Sequence, residues 1–307
     1  MVARADRSIH MRVAILGPGG VGGLLAGALQ RSGTDVLVVA RESTAAVIAE
    51  RGVQVQSVTL GDFIAHPQAV ALLEEPVDAL IVATKAAGLE PALARIAVEP
   101  PVVLPLLNGL DHLAVLRRRF PADTVLAGTI RVEADRPQPG VVVHTSPFLR
   151  VDMASDGHAA PGMQTLADAL SRAGVSARVS DSEANVMWSK LVRLNALACT
   201  TSAYDVRLGE IRSTPALRAD LEGAIEEACA VGRAEGATDI DPAKAIAELE
   251  AAHDTLGSSM QRDIAAGREP ELDAIAGAVL RAGARHGIPC PTIERLAAMI
   301  AARVEVA

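Results

Sequence analysis

Cysteine is scarce in this sequence, and no two cysteines are close together. The 307 residues include three, Cys199, Cys229 and Cys290, and they form no Cys-x-x-Cys pair. This pattern argues against a disulfide framework and a zinc site, and we expect a reducing, cytoplasmic setting. The seven histidines show no ligand spacing either, so we expect no metal ion.

The sequence also lacks an excess of positive charge and a long apolar segment. Its 29 basic and 37 acidic residues give a net charge of −8, which argues against nucleic acid or a membrane surface as the main partner. The uncharged stretch 13–29 is shorter than the roughly 20 residues that span a bilayer. It also contains Pro18 and six glycines. The basic start has no signal-type apolar region, so we expect residues 1–10 to be a disordered tail before Met11.

Lysine is scarce as well. The 29 cationic side chains include only three lysines, Lys85, Lys190 and Lys244. A lysine can give up its proton near neutral pH whereas an arginine stays charged, so each lysine is a candidate for chemistry. Lys244 has Glu248 four residues later, which predicts an ion pair on a helix surface. Lys190 lies in an apolar helical pattern, and on local sequence alone it also fits a solvated helix cation.

Short apolar runs alternate with Ala-rich helical stretches from Arg12 to about Ser180. This alternation is typical of βαβ units around a parallel sheet. Three later runs are separated by the turn signals RPQPG and SP and are predicted to be closing strands. The predicted strands cover 13–17, 35–40, 78–84, 102–108, 124–129, 140–145 and 148–153.

After Ser180 the pattern becomes helical almost to the end. Ser180 and Glu183 have the spacing of a capping box, which predicts the start of a long helix. Further helices are predicted over 218–235, 241–263 and 271–286, with glycines near their ends. We therefore predict a Rossmann-type α/β domain with a parallel sheet over residues 11–180 and an all-helical domain over 181–307.

A glycine-rich motif follows the first predicted strand. Residues 17–22 read Gly-Pro-Gly-Gly-Val-Gly and lead into an apolar helix. Glycines at this spacing allow a tight turn, a close approach to a pyrophosphate and close packing of the helix, whose N-terminus faces the phosphates. The motif predicts a dinucleotide site formed by Gly17, Pro18, Gly19, Gly20, Val21 and Gly22.

The end of the second predicted strand bears on the choice of dinucleotide. Arg41 stands there, nineteen residues after Gly22. An acidic residue at this place binds the ribose 2′-hydroxyl of NAD, whereas an arginine accommodates the 2′-phosphate of NADP. Arg41 therefore favours NADPH. In the alternative, Arg41 is a solvated cation and Glu42 binds the ribose.

Two more polar residues end predicted strands. Lys85 follows the strand 78–84, and Asn108 ends the strand 102–108. Ligands of open parallel sheets bind at the carboxyl ends of the strands, so both side chains are candidates for the site. Each also fits a local role, as a surface lysine and as the first residue of an Asn-Gly turn.

These motifs occur together with others in one order along the chain. Trp-Ser-Lys ends at Lys190, Gly209-Glu210 follows, and the stretches SSMQRDI (258–264) and ELD (271–273) come after it. As a set, with the glycine motif, Arg41, Thr84-Lys85 and Asn108-Gly109, they resemble the ketopantoate reductase family of NADPH-dependent 2-dehydropantoate 2-reductases. The resemblance covers nearly the whole chain from Met11.

The resemblance implies a role for each matched residue. Lys190 is similar to the family's general acid, which protonates the substrate carbonyl as hydride arrives from the nicotinamide. Glu271 is similar to the acidic residue that assists this lysine, and Ser259 to the hydroxyl ligand of the substrate carboxylate. Asn108 matches the residue that positions cofactor and substrate, and Lys85 the cation beside it.

Two of these residues also have a simpler explanation. Taken alone, Glu271 fits an acid that follows Pro270 at a helix start, where the helix dipole favours negative charge. Ser259 alone fits a serine on a helix surface. Their functional roles therefore depend on the whole set of motifs.

The sequence departs from the family after the lysine. Asn usually stands four and often eight residues later in the family, where this chain has Leu194 and Ala198. Asn195 is five residues from Lys190, which turns it about 140° round a helix, so it does not replace the missing amide. A less polar 2-oxo acid is therefore the alternative substrate.

The activity that the resemblance implies is reduction of 2-dehydropantoate to (R)-pantoate, a step of pantothenate biosynthesis. Two other functions stay open. One is a dehydrogenase of the β-hydroxyacid or opine kind, against which the Ser-Met and Glu-Leu-Asp motifs argue. The other is a non-catalytic NADPH-binding sensor.

The Ala-rich helical part offers a face for a homodimer, the commonest oligomer.

Overall fold

The computed structural model describes residues 11–156 and 162–306. The tail predicted for residues 1–10 lies outside this range. By its contacts the chain divides into two compact units. Unit 1 runs up to Thr84 and includes Gly88–Leu107 and Ala114–Asp181, while unit 2 contains Lys85–Ala87, Asn108–Leu113 and the chain from Ser182 onward. That each unit is a domain with the bounds given above stays a prediction.

The described residues form strands in the first part of the chain and helices throughout. The strands are β1 Arg12–Leu16, β2 Asp35–Val39, β3 Val53–Ser57, β4 Phe63–Ala65, β5 Gln68–Val70, β6 Ala79–Val82, β7 Val103–Pro105, β8 Ala127–Arg131, β9 Ala134–Gln138, β10 Val141–His144, β11 Arg150–Ala154 and β12 Ser176–Ser180. The α-helices are α1 Gly20–Arg31, α2 Glu42–Arg51, α3 Leu89–Leu93, α4 His112–Arg119, α5 Met163–Arg172, α6 Glu183–Tyr204, α7 Leu208–Ser213, α8 Pro215–Ala234, α9 Pro242–Glu250, α10 Ser259–Ala265, α11 Ala278–His286 and α12 Pro291–Val306.

Unit 1 contains the parallel sheet that the apolar runs predict. Its five strands lie in the order β5-β2-β1-β6-β7, and every neighbouring pair is parallel. All four residues of β6 and four of the five in β1 are buried, as expected for strands of a parallel sheet that is covered on both faces. The predicted α/β class with a parallel sheet is confirmed.

The three later runs do form strands, but they do not extend the parallel sheet. Strands β8 and β11 lie in a three-stranded sheet with β12, and β10 lies in a four-stranded sheet with β3, β4 and β9. The turn predicted from RPQPG is partly wrong, because Arg136 to Gln138 belong to β9 and only Pro139 and Gly140 turn. Since β9 is an edge strand, Pro137 can occupy it without an N–H group to donate.

Helix α1 is rich in glycine because it packs closely against the four-stranded sheet. A Cβ atom added to Gly23 would lie 2.7 Å from Val142, and one added to Gly27 would lie 2.7 Å from Val55. These glycines hold the first helix close to β10 and β3, and the cost of glycine inside a helix is offset by this contact.

Unit 2 is all-helical, as predicted, and its apolar core gathers around α6. The start of α6 was predicted wrongly: the capping residue is Ser182, whose side chain accepts from the amide of Asn185, while Ser180 ends β12. Glu248, the partner predicted for Lys244, pairs with Arg193 at 3.6 Å, and its ion pair with Lys244 stays a prediction.

The helix predicted over 241–263 is two helices, α9 and α10, with an irregular stretch between them. Arg212 donates to the carbonyl oxygens of Leu249, Glu250 and Ala252, at 2.6 to 2.9 Å. These carbonyls are freed where α9 ends, so a side chain from α7 satisfies them. This interaction is remote in sequence, which is why local periodicity misses the break.

Among the described residues, no helix is both long and apolar enough to cross a membrane.

Candidate functional site

The glycine motif forms a tight turn between β1 and α1 in unit 1. Gly17 has φ +90°, a conformation that favours glycine, and its amide donates to the carbonyl of Val39 at 3.1 Å. The amide of Gly19 then donates back to the carbonyl of Gly17 at 2.8 Å. The turn therefore brings the chain from the end of β1 directly into the first turn of α1.

The absence of a side chain has a different physical reason at each glycine of this turn. A Cβ atom on Gly22 would lie 2.2 Å from the carbonyl oxygen of Gly17, and one on Gly20 would lie 2.4 Å from that of Ala134, so neither position has room for a side chain. A Cβ atom on Gly19 would meet nothing within 4 Å. No side chain caps α1, whose N-cap residue is Gly19, so no side chain of the protein takes the place of a ligand at this helix N-terminus. This arrangement fits a phosphate group bound at the helix N-terminus.

Arg41 and Glu42 lie at the end of β2, and the structure distinguishes their surroundings. Arg41 is exposed and precedes the first residue of α2. Glu42 bonds to the guanidinium of Arg95 at 3.0 and 3.4 Å. This side-chain hydrogen bond is the main reason that the pKa of Glu42 is lowered. The carboxylate that would bind a ribose is therefore already engaged, while Arg41 extends into solvent.

Lys190 projects from α6 in unit 2, and Trp188 fixes the rotation of that helix. Trp188 is 2% exposed and packs so closely on α8 that a Cβ atom on Gly232 would lie 2.9 Å from its ring. Lys190 is two residues after Trp188, which corresponds to a rotation of about 200° round the helix axis. Because Trp188 faces the core, Lys190 lies on the opposite side of α6. The apolar helical pattern and the lysine within it are thus compatible.

Three of the predicted site residues form a chain of hydrogen bonds. The Nζ atom of Lys190 donates to Oδ1 of Asn108 at 2.8 Å, and Nδ2 of Asn108 donates to Oε2 of Glu271 at 3.0 Å. The other carboxylate oxygen of Glu271 accepts from the backbone amide of Ala86 at 3.4 Å. Asn108 therefore orients both its partners, because its oxygen and nitrogen are bound at once.

Lys85 lies in the segment that reaches Glu271, but its side chain has a different partner. Its Nζ atom pairs with Oδ2 of Asp263 at 2.8 Å, and the other oxygen of Asp263 accepts from Arg268 at 2.8 Å. The Asp263 side chain is only 10% exposed. Sequence analysis missed Asp263, although it lies within the stretch SSMQRDI.

Ser259 is the first residue of α10 and is exposed. The serine that caps this helix is Ser258, which is buried and bonds to Thr201 at 2.9 Å. The role of Ser259 as a ligand of the substrate stays a prediction.

His112 is a second residue that the sequence did not single out. It is 4% exposed, and neither ring nitrogen has a hydrogen-bond partner among the described residues. Burial, followed by the nearby charge of Lys190, lowers the pKa of His112 to about 4. The imidazole is therefore neutral at neutral pH, and His112 adds no second positive charge beside Lys190.

Leu194 and Ala198, four and eight residues after Lys190 on α6, are apolar, and Asn195 is buried. Leu194 is partly buried against the core of unit 2, and Ala198 is fully buried. Asn195 is also fully buried, and its Oδ1 atom lies 3.5 Å from the Sγ atom of Cys199. Its amide is therefore held inside the core of unit 2. Among the described residues, no three His, Cys, Asp or Glu side chains gather as a metal ion would require.

Comparison with known proteins identifies the family. The model "Ketopantoate reductase PanE/ApbA" matches residues 13–154, and the model of its C-terminal part matches residues 184–304. The 2-dehydropantoate 2-reductase of Halobacterium salinarum is 31% identical over 308 residues, which cover 94% of this chain and 98% of the relative. That of Mycobacterium tuberculosis is 30% identical over 299 residues, covering 94% and 97%.

Solved structures indicate the same family. The 2-dehydropantoate 2-reductase of Geobacter metallireducens superposes with a TM-score of 0.86 at 29% identity, covering 94% of this chain and 99% of the other. D-mandelate dehydrogenase with NADH and anilino(oxo)acetate gives a TM-score of 0.87 at 26% identity, covering 96% and 99%. The resemblance read from the motifs is confirmed: the chain belongs to the ketopantoate reductase family of oxidoreductases.

Proposed function

We propose that this protein reduces a 2-oxo acid to a 2-hydroxy acid with NADPH, and that 2-dehydropantoate, reduced to (R)-pantoate in pantothenate biosynthesis, is the first candidate substrate. The hydrogen-bond chain from Lys190 through Asn108 to Glu271 is the observation that carries the proposal. It supplies a fixed ammonium group, which is what a carbonyl oxygen needs as it gains charge.

The proposed chemistry assigns a step to each group. NADPH, when bound, supplies the hydride that adds to the carbonyl carbon. As the carbonyl π bond breaks, Lys190 gives a proton from Nζ to the oxygen, so that an O–H bond forms and a neutral amine remains. Asn108 holds the ammonium in place, and Glu271 holds the Asn108 amide. Because Asn108 lies between them, Glu271 acts through orientation and charge.

Three observations in unit 1 support NADPH as the cofactor. The glycine turn leaves open space at Gly19 above the start of α1, where the phosphates of a dinucleotide would bind. Arg41 is exposed at the end of β2, where a residue that accommodates a 2′-phosphate is expected. The carboxylate of Glu42, which would otherwise suit a ribose hydroxyl, is bound by Arg95.

The apolar residues beside Lys190 favour a second candidate substrate, a less polar 2-oxo acid. Leu194 is one helical turn from Lys190 and lies on the same face of α6. A leucine cannot hydrogen-bond a substrate hydroxyl, so a group on that side gains from being apolar. The fold is also that of a D-mandelate dehydrogenase, whose name indicates an aromatic 2-hydroxy acid. We assign Ser259 to the substrate carboxylate in either case, and Lys85, which is paired with Asp263, to the mouth of the site.

The test is NADPH oxidation by the purified protein with a panel of 2-oxo acids. The panel contains 2-dehydropantoate, branched aliphatic 2-oxo acids and a phenyl-substituted one, each assayed with NADPH and NADH. Highest kcat/KM with 2-dehydropantoate supports the first candidate, and highest kcat/KM with an apolar acid supports the second. Absence of turnover with every acid, while NADPH binds, would contradict both and favour a non-catalytic sensor.

A further inference from the structure

Arg281 on α11 joins two segments of unit 2 that approach the Asn108–Glu271 pair. Its guanidinium bonds to Oδ2 of Asp111 at 2.6 Å and to Oδ1 of Asp273 at 2.6 Å. The same group donates to the backbone carbonyl of Asp273 at 3.0 Å. One planar cation therefore binds two carboxylates and a carbonyl at once, a geometry that arginine provides and lysine does not.

Gly277 leaves room for the Arg281 and Asp273 side chains to meet. A Cβ atom on Gly277 would lie 2.6 Å from the carboxylate of Asp273 and 2.9 Å from the guanidinium of Arg281, so a larger residue there would displace these two side chains. Gly277 ends a π-helical turn, Asp273–Gly277, that leads into α11. Such turns are rare and are found often at functional sites.

A second glycine brings the two segments together. Gly109 has φ +84°, and a Cβ atom on it would lie 2.0 Å from the carbonyl oxygen of Ala274. The segment Asn108–Leu113 therefore rests directly on the backbone of the π-helical turn. Its amide side chain at Asn108 bonds to Glu271, which stands two residues before Asp273.

The two chain segments that carry Asn108 and Glu271 are thus linked at a second point, in addition to the hydrogen bond between these residues. Asp111 is three residues after Asn108, and Asp273 is two residues after Glu271. Arg281 binds both aspartates and so closes a loop through the two segments. Lys190 enters this loop through its bond to Asn108.

We propose that Arg281 is a positioning residue, which acts through Asp111 and Asp273 to keep Asn108 between Lys190 and Glu271. This inference rests on the proposed function for its effect on turnover. Its effect on the segment Asn108–Leu113 is independent of that function.

Loss of the Arg281 ion pairs should affect activity and stability to different extents. The Arg281 and Asp111 side chains are 43% and 54% exposed, and ion pairs of this exposure contribute little to the free energy of folding. A small displacement of a catalytic group has a larger effect, roughly 100-fold in rate for about 1 Å. Loss of these ion pairs should therefore change kcat much more than it changes the melting temperature.

The experiment compares Arg281→Met with Arg285→Met. Arg285 lies one turn further along α11 and makes an exposed ion pair of its own, with Glu235 at 3.1 Å, which does not involve the segment Asn108–Leu113. Arg281→Lys tests whether charge alone is sufficient, and Asp111→Asn removes one partner. We measure kcat and KM on the best substrate of the panel, the melting temperature, and hydrogen–deuterium exchange of the backbone amides of residues 108–113.

We expect Arg281→Met to lower kcat roughly 10-fold with KM nearly unchanged, and to speed exchange in residues 108–113. Asp111→Asn should have a similar effect, Arg281→Lys should recover part of the loss, and Arg285→Met should match the wild type. Equal exchange and equal kcat in the Arg281→Met and Arg285→Met proteins would overturn the inference. If the wild type turns over no 2-oxo acid, the proposed function fails, and the exchange measurement alone decides whether Arg281 holds this segment.

Discussion

The candidate sites of unit 1 and unit 2 are built in different ways. The glycine turn of unit 1 is made almost entirely of backbone, and its residues matter because side chains are absent at Gly19, Gly20 and Gly22. The lysine site of unit 2 is made of side chains, in which Lys190, Asn108 and Glu271 are joined by two hydrogen bonds. The nucleotide binding proposed for the glycine turn depends on space, and the chemistry proposed for the lysine site depends on the orientation of side chains.

This difference predicts how each unit should respond to substitution. A change in the glycine turn should alter nucleotide affinity or folding, because the turn supplies amides and room. A change in the hydrogen-bond chain should alter kcat while the nucleotide still binds. Experiments that measure both quantities on the same variant can therefore separate the two units.

The largest expected effect belongs to Lys190→Ala. Removing the proposed proton donor should lower kcat by roughly 100- to 10,000-fold, because general acid catalysis contributes about that much. Nucleotide affinity, measured by fluorescence titration, should stay close to that of the wild type. The matched control is Lys244→Ala, which removes an exposed lysine from α9. Equal kcat values for the two variants would contradict the role of Lys190.

Arg41→Ala should have the next largest effect, on affinity and not on the fold. Loss of a charge-assisted hydrogen bond to a 2′-phosphate costs roughly 1.5 to 3 kcal/mol, or about 10- to 100-fold in the Kd of NADPH. The Kd of NADH should hardly change. Arg51→Ala is the control, since Arg51 is an exposed arginine at the other end of α2. A parallel loss of NADH affinity would rule out recognition of the 2′-phosphate.

Two glycines of one turn give a smaller and sharper comparison. Gly19→Ala should fold normally, because the added Cβ atom meets nothing within 4 Å, yet it should raise the Kd of NADPH about 10-fold by narrowing the phosphate site. Gly22→Ala should lower the melting temperature, because its Cβ atom would lie 2.2 Å from the Gly17 carbonyl. Thermal melting and titration of both variants test this, and unaltered NADPH affinity in Gly19→Ala would contradict the site.

Much of unit 1 can be predicted from the sequence because its signals are local. The glycine motif, the strand before it and Arg41 all fall within thirty residues, and each needs only its neighbours to be interpreted. The small sheets were harder. Strand β3 alternates buried and exposed residues, Val53 to Ser57, which is a readable signal, but β9 contains a proline that reads as a turn.

The lysine site could be predicted only in part because its contacts are remote in sequence. The scarcity of lysine drew attention to Lys190, and the strand ends drew attention to Lys85 and Asn108. Asp263 pairs with Lys85 across 178 residues, and Arg281 pairs with Asp111 across 170 residues, so neither pair has a local signature. The buried state of His112 depends in the same way on the packing of unit 2.

The smallest expected effect concerns the substrate and comes from Leu194→Asn. An asparagine one turn from Lys190 would add a hydrogen-bonding group on the same face of α6, worth about 1 kcal/mol or roughly 5-fold in kcat/KM. The ratio of kcat/KM for 2-dehydropantoate over a phenyl-substituted 2-oxo acid should rise by that factor. Asn195→Leu is a poor counterpart because Asn195 is buried, so the ratio measured for the wild type is the reference. An unchanged ratio in Leu194→Asn would mean that this position does not contact the substrate, and that the departure at Leu194 does not determine which 2-oxo acid is preferred.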